Sequence, residues 1–318
     1  MLRSGKSPLF LTVMALICTS LLAAGCGPGK KRAQPLDPSN DRLAPPLEIR
    51  PVGRKQLSPR IAFVPFENRT ALDNSLLDQV FYDRLIPEMV KKADRTRVVL
   101  PGDVDFPAGI QAFGRDVYGR LDSFGLAVYA RQQNLNAVVS GMVLDAAVSN
   151  ELSGMLLWKR TEGRLRVLML AEVYSAEGGT KLMSEVFEFE AEVPGMAPDA
   201  AGGLRDTDLP LVREGLAKLA GRIGKRVSGV ISELPWQGYV TNVAGNRITL
   251  SSNSDSGLEP GNILMLYDSQ VLDGLDGRKF FLPSDPVGRM QVTDVLADRV
   301  EGVLLQGSGV GIYSFAAP

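Results

Sequence analysis

The chain has 318 residues, of which 45% are hydrophobic and 22% charged, and its formal net charge is −1. This composition is ordinary for a globular protein, and the length predicts two folded domains. The near-neutral charge excludes the strongly basic surface that is typical of nucleic-acid-binding proteins. Because the sequence contains no histidine, it lacks the commonest general base and the commonest metal ligand.

Residues 1–25 have the layout of a secretory signal peptide. Arg3 and Lys6 form a basic start, an apolar run of about 15 residues follows, and small residues precede Cys26. An apolar run of this length is short for a membrane span, so an uncleaved anchor helix is the less favoured alternative.

The segment Leu22-Ala-Ala-Gly-Cys26 resembles the lipobox of bacterial lipoproteins. The resemblance implies cleavage after Gly25 and acylation of Cys26, with palmitate-type chains holding the protein in a membrane. Gly27, where Asp would imply retention in the inner membrane, implies the outer membrane by resemblance to bacterial sorting rules. Since Cys18 would leave with the signal, the mature chain would have net charge −3 and no disulfide, cysteine nucleophile or thiolate zinc site.

Residues 26–58 are rich in proline and show no sustained apolar period. They predict an extended tether that holds the folded body about 30 Å from the membrane. Its excess of basic residues is expected to be solvated, although contact with anionic head groups is an alternative.

The sequence pattern of residues 59–234 predicts an α/β domain. Its short apolar strands are predicted at 61–66, 96–100 and 137–144, and its amphipathic helices at 71–92 and 122–133. A polar turn is expected after the first strand, and Pro87 is expected to kink or shorten the first helix.

The second half of this domain predicts a β-hairpin and a long helix. The hairpin strands are 165–174 and 182–193, and in the second strand Glu188, Glu190 and Glu192 share one face. A metal site is the alternative to a solvent-facing row of repelling charges, which we favour because no oxygen-rich loop accompanies the row. The helix at 208–234 has one apolar face, and its four glycines are expected to lower its independent stability.

Three segments of this domain, 61–70, 130–141 and 170–184, resemble the TolB N-terminal/CsgG superfamily. They read IAFVPFENRT, ARQQNLNAVVSG and LAEVYSAEGGTKLMS. The resemblance implies a periplasmic protein that acts through protein contacts, as in curli export, activation of peptidoglycan synthases and flagellar assembly.

Residues 235–318 predict five or six short strands, which suit a small SH3-like or OB-like barrel. Three segments of this region, 238–250, 256–268 and 286–295, read GYVTNVAGNRITL, SGLEPGNILMLYD and PVGRMQVTDV. They resemble the C-terminal domain of the flagellar assembly protein T (FlgT) family, which also places a TolB-N-like module before the barrel. Asp268, Asp273, Asp276 and Asp285 are expected in a long polar loop, with an adventitious cation as the alternative. The predicted fold class is therefore α+β, a TolB-N/CsgG-like α/β module followed by a small all-β barrel.

The sequence predicts a non-catalytic assembly lipoprotein without a cofactor. It contains no Ser-x-x-Lys acylase signature, and Gly307–Gly311 lacks the following helix of a phosphate loop. The expected partners are membrane lipid, through acylated Cys26, and periplasmic or outer-membrane proteins bound by edge-strand addition or loop docking. The alternative is a subunit of a CsgG-like secretion pore, whose membrane-inserting strands would lie within 102–125 and 145–164.

Overall fold

The computed structural model describes residues 50–53, 56–115, 119–153, 160–193, 204–275 and 277–318. The predicted signal peptide, Gly25, Cys26 and most of the tether lie outside these residues. Within the described part of the chain, no helix is both long enough and apolar enough to span a membrane.

The α/β domain is built on a mixed six-stranded sheet. Its strands are β2 (Arg60–Phe63), β3 (Glu67–Asn68), β4 (Arg97–Val99), β5 (Ala137–Ser153), β6 (Arg160–Ser175) and β7 (Lys181–Val193). The order is β4-β2-β5-β6-β7, with β3 also paired to β5; β4, β2 and β5 are parallel, and β5, β6 and β7 are antiparallel. The predicted strands are confirmed in position, but β5 and β6 are longer than the predicted 137–144 and 165–174. The expected polar turn at 67–70 is wrong at its start, because Glu67–Asn68 extend the pairing along β5.

The first helix, α1, changes its hydrogen-bonding pattern beside Pro87. It runs as an α-helix over Asn74–Val80, as a π-helical turn over Phe81–Leu85 and again as an α-helix over Ile86–Val90. Ile86 donates its N–H to the Phe81 carbonyl, five residues back. Because Pro87 has no N–H to donate, one regular helical bond is missing here, and a π-turn accommodates the loss without ending the helix.

The helices α2 (Ser123–Gln132) and α3 (Leu209–Ile231) complete the domain. The predicted apolar face of α3 is confirmed, because Val212, Leu216, Leu219, Ile223 and Val227 are all fully buried. They join the inward-facing side chains of β5, β6 and β7 in one core.

Two of the four α3 glycines permit close packing. A Cβ atom on Gly215 would lie 2.4 Å from the Phe189 ring, and one on Gly224 would lie 2.6 Å from the Leu85 carbonyl of α1. A Cβ atom on Gly221 or on Gly229 would meet nothing within 4 Å. Only Gly221 and Gly229 therefore fit the expectation that the glycines lower the stability of α3.

This contrast predicts opposite effects for two identical substitutions. Gly224→Ala is expected to destabilise the protein by about 2 kcal/mol, because the methyl group overpacks the contact with α1. Gly221→Ala is expected to stabilise it by about 0.5–1 kcal/mol, through higher helix propensity. Urea unfolding followed by circular dichroism measures both changes, and equal effects of the two substitutions would contradict the packing role of Gly224.

The C-terminal residues form a closed barrel of six strands. These are β8 (Gly238–Ala244), β9 (Arg247–Ser251), β10 (Asn262–Asp273), β11 (Lys279–Val295), β12 (Val300–Gly307) and β13 (Phe315–Ala317). The order β10-β11-β12-β9-β8-β13 closes through a β10–β13 pairing. The predicted barrel is confirmed, with one strand more than the five of an OB-fold.

The end of the predicted tether packs against this barrel. Strand β1 (Arg50–Pro51) pairs in parallel with β10, and Leu57 is buried in the barrel core beside Trp236 and Leu258. Residues 50–53 and 57 were predicted to be part of the tether, but they belong to the folded body.

The prediction of a long polar loop at 268–285 is wrong. Strands β10 and β11 continue through it as a hairpin, paired from Ser269–Pro283 to Asp273–Lys279, which we call the arm. Asp268 accepts a hydrogen bond from Ser314 Oγ at 3.1 Å, and Asp276 lies outside the described residues. Among the residues that the structure describes, no group of three or more His, Cys, Asp or Glu side chains is placed to hold a metal ion.

Candidate functional site: a basic cleft between the two domains

The α/β domain and the barrel share a hydrophobic core. Tyr239 of β8 and Phe315 of β13 are buried against side chains of the α/β domain. These side chains are Ala62, Val99, Ile110, Leu126, Ala130, Leu135, Val138, Tyr174 and Ala176. Burial of apolar surface across the junction stabilises one relative placement of the two domains.

A single buried arginine lies at this junction. Arg131, near the end of α2, is 4% exposed. Its Nε donates to the Ala176 carbonyl at 2.8 Å, its Nη1 donates to the Tyr313 carbonyl of the barrel at 2.8 Å, and its Nη2 donates to the Glu177 carbonyl. The planar guanidinium thus hydrogen-bonds to main-chain oxygens of both domains at once.

Aromatic rings surround the same guanidinium. Its central carbon lies 3.6 Å from the centroid of Phe281 and 4.9 Å from that of Tyr239. Burial lowers the pKa of Arg131 to about 10, against the opposing effects of Tyr239, Glu177 and Tyr313, so the side chain remains charged at neutral pH. Interaction with ring faces partly replaces the hydration that this cation loses.

Polar contacts add to the junction on both sides of Arg131. Asn136 Oδ1 accepts from the Arg60 N–H at 3.0 Å, while Asn136 Nδ2 donates to the Gln237 carbonyl at 2.8 Å. The N–H of Phe281 in the arm donates to the Gly178 carbonyl of the β6–β7 turn at 3.0 Å. The arm is therefore fixed to the α/β domain by main-chain and aromatic contacts together.

A cleft of about 920 Å³ opens between the arm and the α/β domain, and we call it the basic cleft. Its lining contains five cationic side chains and the carboxylate of Asp122. The cations are Arg115, Arg120, Lys181, Arg278 and Lys279. The first three come from the α/β domain and the last two from the arm, so the cleft exists only because the domains are joined.

A buried carboxylate organises one wall of the cleft. Glu172 of β6 is 1% exposed and lies 2.5 Å from Arg115 Nη2. It also accepts hydrogen bonds from Lys181 Nζ, from the Tyr174 hydroxyl at 2.8 Å and from Ser184 Oγ at 3.1 Å. Since the Arg115 side chain is only 3% exposed, Glu172 provides the negative charge that this cation requires.

The same contacts keep Glu172 ionised. Burial raises the pKa of Glu172, but the hydrogen bonds from Lys181 and Tyr174 and the charge of Arg115 outweigh it, and the net pKa lies below the ordinary value. Burial and the adjacent Glu172 charge raise the pKa of Tyr174. A carboxylate held in this way fixes cations rather than transferring protons.

The row of glutamates in β7 is solvent-facing, as predicted. The prediction that their charges repel one another without compensation is wrong. Arg166 of β6 donates to Glu188 at 2.6 Å, and Arg164 lies 3.5 Å from Glu190. The neighbouring strand therefore supplies the compensating charges.

Sequence reasoning missed the basic cleft, since its cations lie in segments expected to be connections or strand ends. Arg115 and Lys181 are separated widely in the sequence and meet only through Glu172. One signal was available at the junction. Arg131 directly follows the inward-facing Ala130 in the predicted helix, where a charge on a buried face indicates a specific partner.

No protein-family model and no curated protein matches this chain. Similar solved structures include a hypothetical protein from Chlamydia trachomatis, with 16% identity over 55% of this chain and 98% of that chain and a TM-score of 0.35. A minor lipoprotein from Acinetobacter baumannii has 13% identity over 55% of this chain and 95% of that chain, with a TM-score of 0.29. A PelC dodecamer from Paraburkholderia phytofirmans has 13% identity over 57% of this chain and 94% of that chain, also with a TM-score of 0.29. Similarity at these TM-scores supports no conclusion about function.

Proposed function

We propose that this protein is a lipid-anchored, non-catalytic scaffold of the bacterial outer membrane whose folded body lies in the periplasm. The observation that carries the proposal is the buried junction at Arg131, which joins two domains into one body. A body with fixed domain geometry can hold neighbouring proteins at a defined spacing.

The membrane anchor is proposed from the sequence, through acylation of Cys26 and removal of residues 1–25. We further propose that residues 59–234 are a TolB-N/CsgG-like module and that the barrel is FlgT-like. The parallel β4-β2-β5 strands followed by an antiparallel hairpin, and then a closed barrel, agree with this order of modules. Assembly of a flagellum or another surface apparatus is the process that the resemblance favours.

The contacts of Gly141 indicate that the 130–141 segment is a structural motif. A Cβ atom at Gly141 would lie 2.3 Å from the Leu170 carbonyl and 2.5 Å from the Phe66 ring. The glycine that ends the 130–141 segment therefore permits the close approach of β6 and of the chain after β2. Such a requirement is one of packing and does not by itself indicate an activity.

Partner binding through the β7 edge is disfavoured by its charges. Arg222 of α3 donates to the Glu188 carbonyl at 2.8 Å, and Glu185 and Glu190 pair with arginines beside the same edge. Charged side chains along an edge oppose the addition of another strand. At the β7 edge, loop docking is therefore favoured over edge-strand addition.

The pore alternative gains no support from the first of its two windows. Within the described part of residues 102–125 the chain forms turns, the 3-10 helix Ala108–Ala112 and the start of α2. A single isolated bridge joins Arg115 to Leu121. A membrane-inserting β-hairpin would require two strands of about 9–11 residues each in this window.

The anchor is tested by replacing its sulfur. Cys26→Ser is expected to abolish incorporation of a palmitate analogue and to move the protein from the membrane pellet to the soluble fraction, because no thioether can form. Cys18→Ser is the matched control, since Cys18 lies within the predicted signal, and it should leave both readouts unchanged. Unchanged fractionation of Cys26→Ser would overturn the proposed anchor.

The scaffold role is tested by crosslinking and pull-down of the full chain from native membranes. Capture of flagellar ring proteins or of components of another surface apparatus would support it. A high-order ring with detergent-stable conductance would replace the proposal with the pore. Hydrolysis of muropeptides by the purified chain would overturn the non-catalytic assignment.

A further inference from the structure

A second cavity, of about 500 Å³, lies where the linker after α3 meets the barrel, and we call it the aromatic cavity. Its lining includes the linker residues 232–237, Tyr267 of β10 and Phe315 of β13. The Tyr267 and Phe315 rings are stacked, with centroids 5.2 Å apart and planes 12° from parallel. Pro235 and Pro283 add further rigid rings to the lining. A cavity of this volume with rigid apolar walls has the properties of a preformed binding site.

Two nearly buried side chains of this lining have hydrogen-bond donors without an acceptor. Trp236 is 4% exposed and Gln237 is 5% exposed. Gln237 Oε1 accepts from the Tyr239 hydroxyl at 3.0 Å, but Gln237 Nε2 and Trp236 Nε1 donate to no group among the described residues. The structure leaves both nitrogens accessible, and both residues line the aromatic cavity. A ligand that supplies acceptor atoms here would satisfy both donors in a largely desolvated place, where a hydrogen bond is most effective.

Charge does not select the ligand of this cavity. Glu177, Glu233 and Arg95 also line it, and within the described part of the chain none of the three forms an ion pair. Glu177 in addition interacts electrostatically with the buried Arg131. Because charges of both signs face the cavity, the features that distinguish a ligand are its acceptor atoms and its fit to aromatic rings.

These features match the chemistry of a proline-containing extended segment. A prolyl residue has a carbonyl acceptor but no N–H donor, so it can satisfy donors without bringing an unpaired donor of its own. In the polyproline II conformation such a segment makes no internal hydrogen bonds and keeps its carbonyls exposed. Aromatic-lined grooves recognise this preformed conformation, because little conformational entropy is lost on binding.

We propose that the aromatic cavity binds a proline-containing extended segment of a partner protein. Its carbonyls accept from Trp236 Nε1 and Gln237 Nε2, and its rings pack against Tyr267. The inference rests on the proposed scaffold role, because it names the kind of segment by which the folded body holds a neighbour. Since Thr96 and Glu177 of the α/β domain line the same cavity as the barrel strands, binding also stabilises the joined arrangement of the two domains.

The test uses the full chain carrying Cys26→Ser, with a capped hexaproline peptide as the probe. Isothermal titration is expected to show saturable binding with a Kd below about 1 mM. A capped hexaglycine peptide, which has the same number of main-chain carbonyls but no rings, should bind at least about tenfold more weakly. No saturable binding of hexaproline up to about 1 mM would overturn the proposal. So would saturable binding of chitotriose in its place, which would assign the cavity to a glycan.

Nuclear magnetic resonance locates the bound peptide. The chain has two tryptophans, so adding Trp158→Phe leaves Trp236 as the source of a single indole N–H resonance. Hexaproline is expected to shift this resonance downfield, as donation to a carbonyl requires. Binding that leaves the resonance unchanged would place the peptide elsewhere and overturn the site.

Substitutions test the two recognition features separately. Trp236→Phe keeps an aromatic ring but removes the donor, and it is expected to weaken hexaproline binding about fivefold to tenfold. Trp158→Phe, the same exchange at the other tryptophan, is the matched control and should change the Kd less than about twofold. Tyr267→Leu, at a half-buried position, should weaken binding by at least about fivefold and serves as a second variant if Trp236→Phe does not fold. Equal affinities of both cavity variants and the control would overturn the site.

The outcome also separates this inference from the proposed scaffold role. Capture of partners from native membranes without hexaproline binding would overturn only the assignment of the aromatic cavity. Hexaproline binding without any captured partner would support the cavity as a binding site and count against the scaffold role.

Discussion

Replacement of Arg131 by Met is expected to lower the free energy of unfolding by about 4 kcal/mol. The substitution keeps an unbranched apolar side chain but leaves the carbonyls of Ala176, Glu177 and Tyr313 without their shared donor. It also removes the cation above the Phe281 ring. Urea unfolding of the full chain, followed by tryptophan fluorescence and circular dichroism, measures the loss.

The control for this prediction is another arginine that donates to a main-chain oxygen. Arg222 of α3 is exposed, and its Nη1 donates to the Glu188 carbonyl at 2.8 Å. Arg222→Met is expected to cost less than about 1 kcal/mol, because water replaces the lost donor. If the two substitutions destabilised the protein equally, burial at the junction would not be the cause. If the two optical probes separated only in Arg131→Met, the domains would be shown to unfold independently without the arginine.

Glu172→Gln is expected to be the other strongly destabilising change, by about 3 kcal/mol. The amide has nearly the shape of the carboxylate, so the cost arises from removing the nearest counter-charge of buried Arg115; Glu67, 45% exposed and 3.9 Å from Arg115 Nε, compensates only in part. Lys181, with 38% of its side chain exposed, can turn towards water and contributes less. Glu188→Gln, which removes an exposed partner of Arg166, is the matched control and is expected to cost less than about 1 kcal/mol.

The pH dependence of the unfolding free energy of wild type and of Glu172→Gln tests whether the charge of Glu172 causes the destabilisation. The pKa of Glu172 is lowered in the folded state from its ordinary value of 4.5. Its stabilisation is therefore fully present above that ordinary value and is lost as pH falls through the folded pKa. The difference in unfolding free energy between wild type and Glu172→Gln should shrink as pH is lowered from about 6 to about 3. A difference independent of pH would indicate that shape, and not charge, determines the effect.

The sequence by itself determined the order and type of the secondary-structure elements. Strand alternation and helical periodicity are local properties, so the apolar face of α3 and the hairpin of β6 and β7 could be read directly. Five or six short strands in the barrel and a disturbance at Pro87 were predicted for the same reason. The length of β10 and β11 was not predicted, because their polar outer halves form strands only through pairing with each other.

Only the tertiary structure decided how the domains meet. Arg131 and the Tyr313 carbonyl are 182 residues apart, and no local pattern indicates that they touch. Whether Gly224 weakens α3 or permits its contact with α1 depends likewise on which residue approaches it. The basic cleft has the same origin, since its two walls come from segments that become neighbours only when the shared core is buried. The physical reason is that side-chain chemistry is encoded locally, whereas burial and pairing are set by residues far away in the chain.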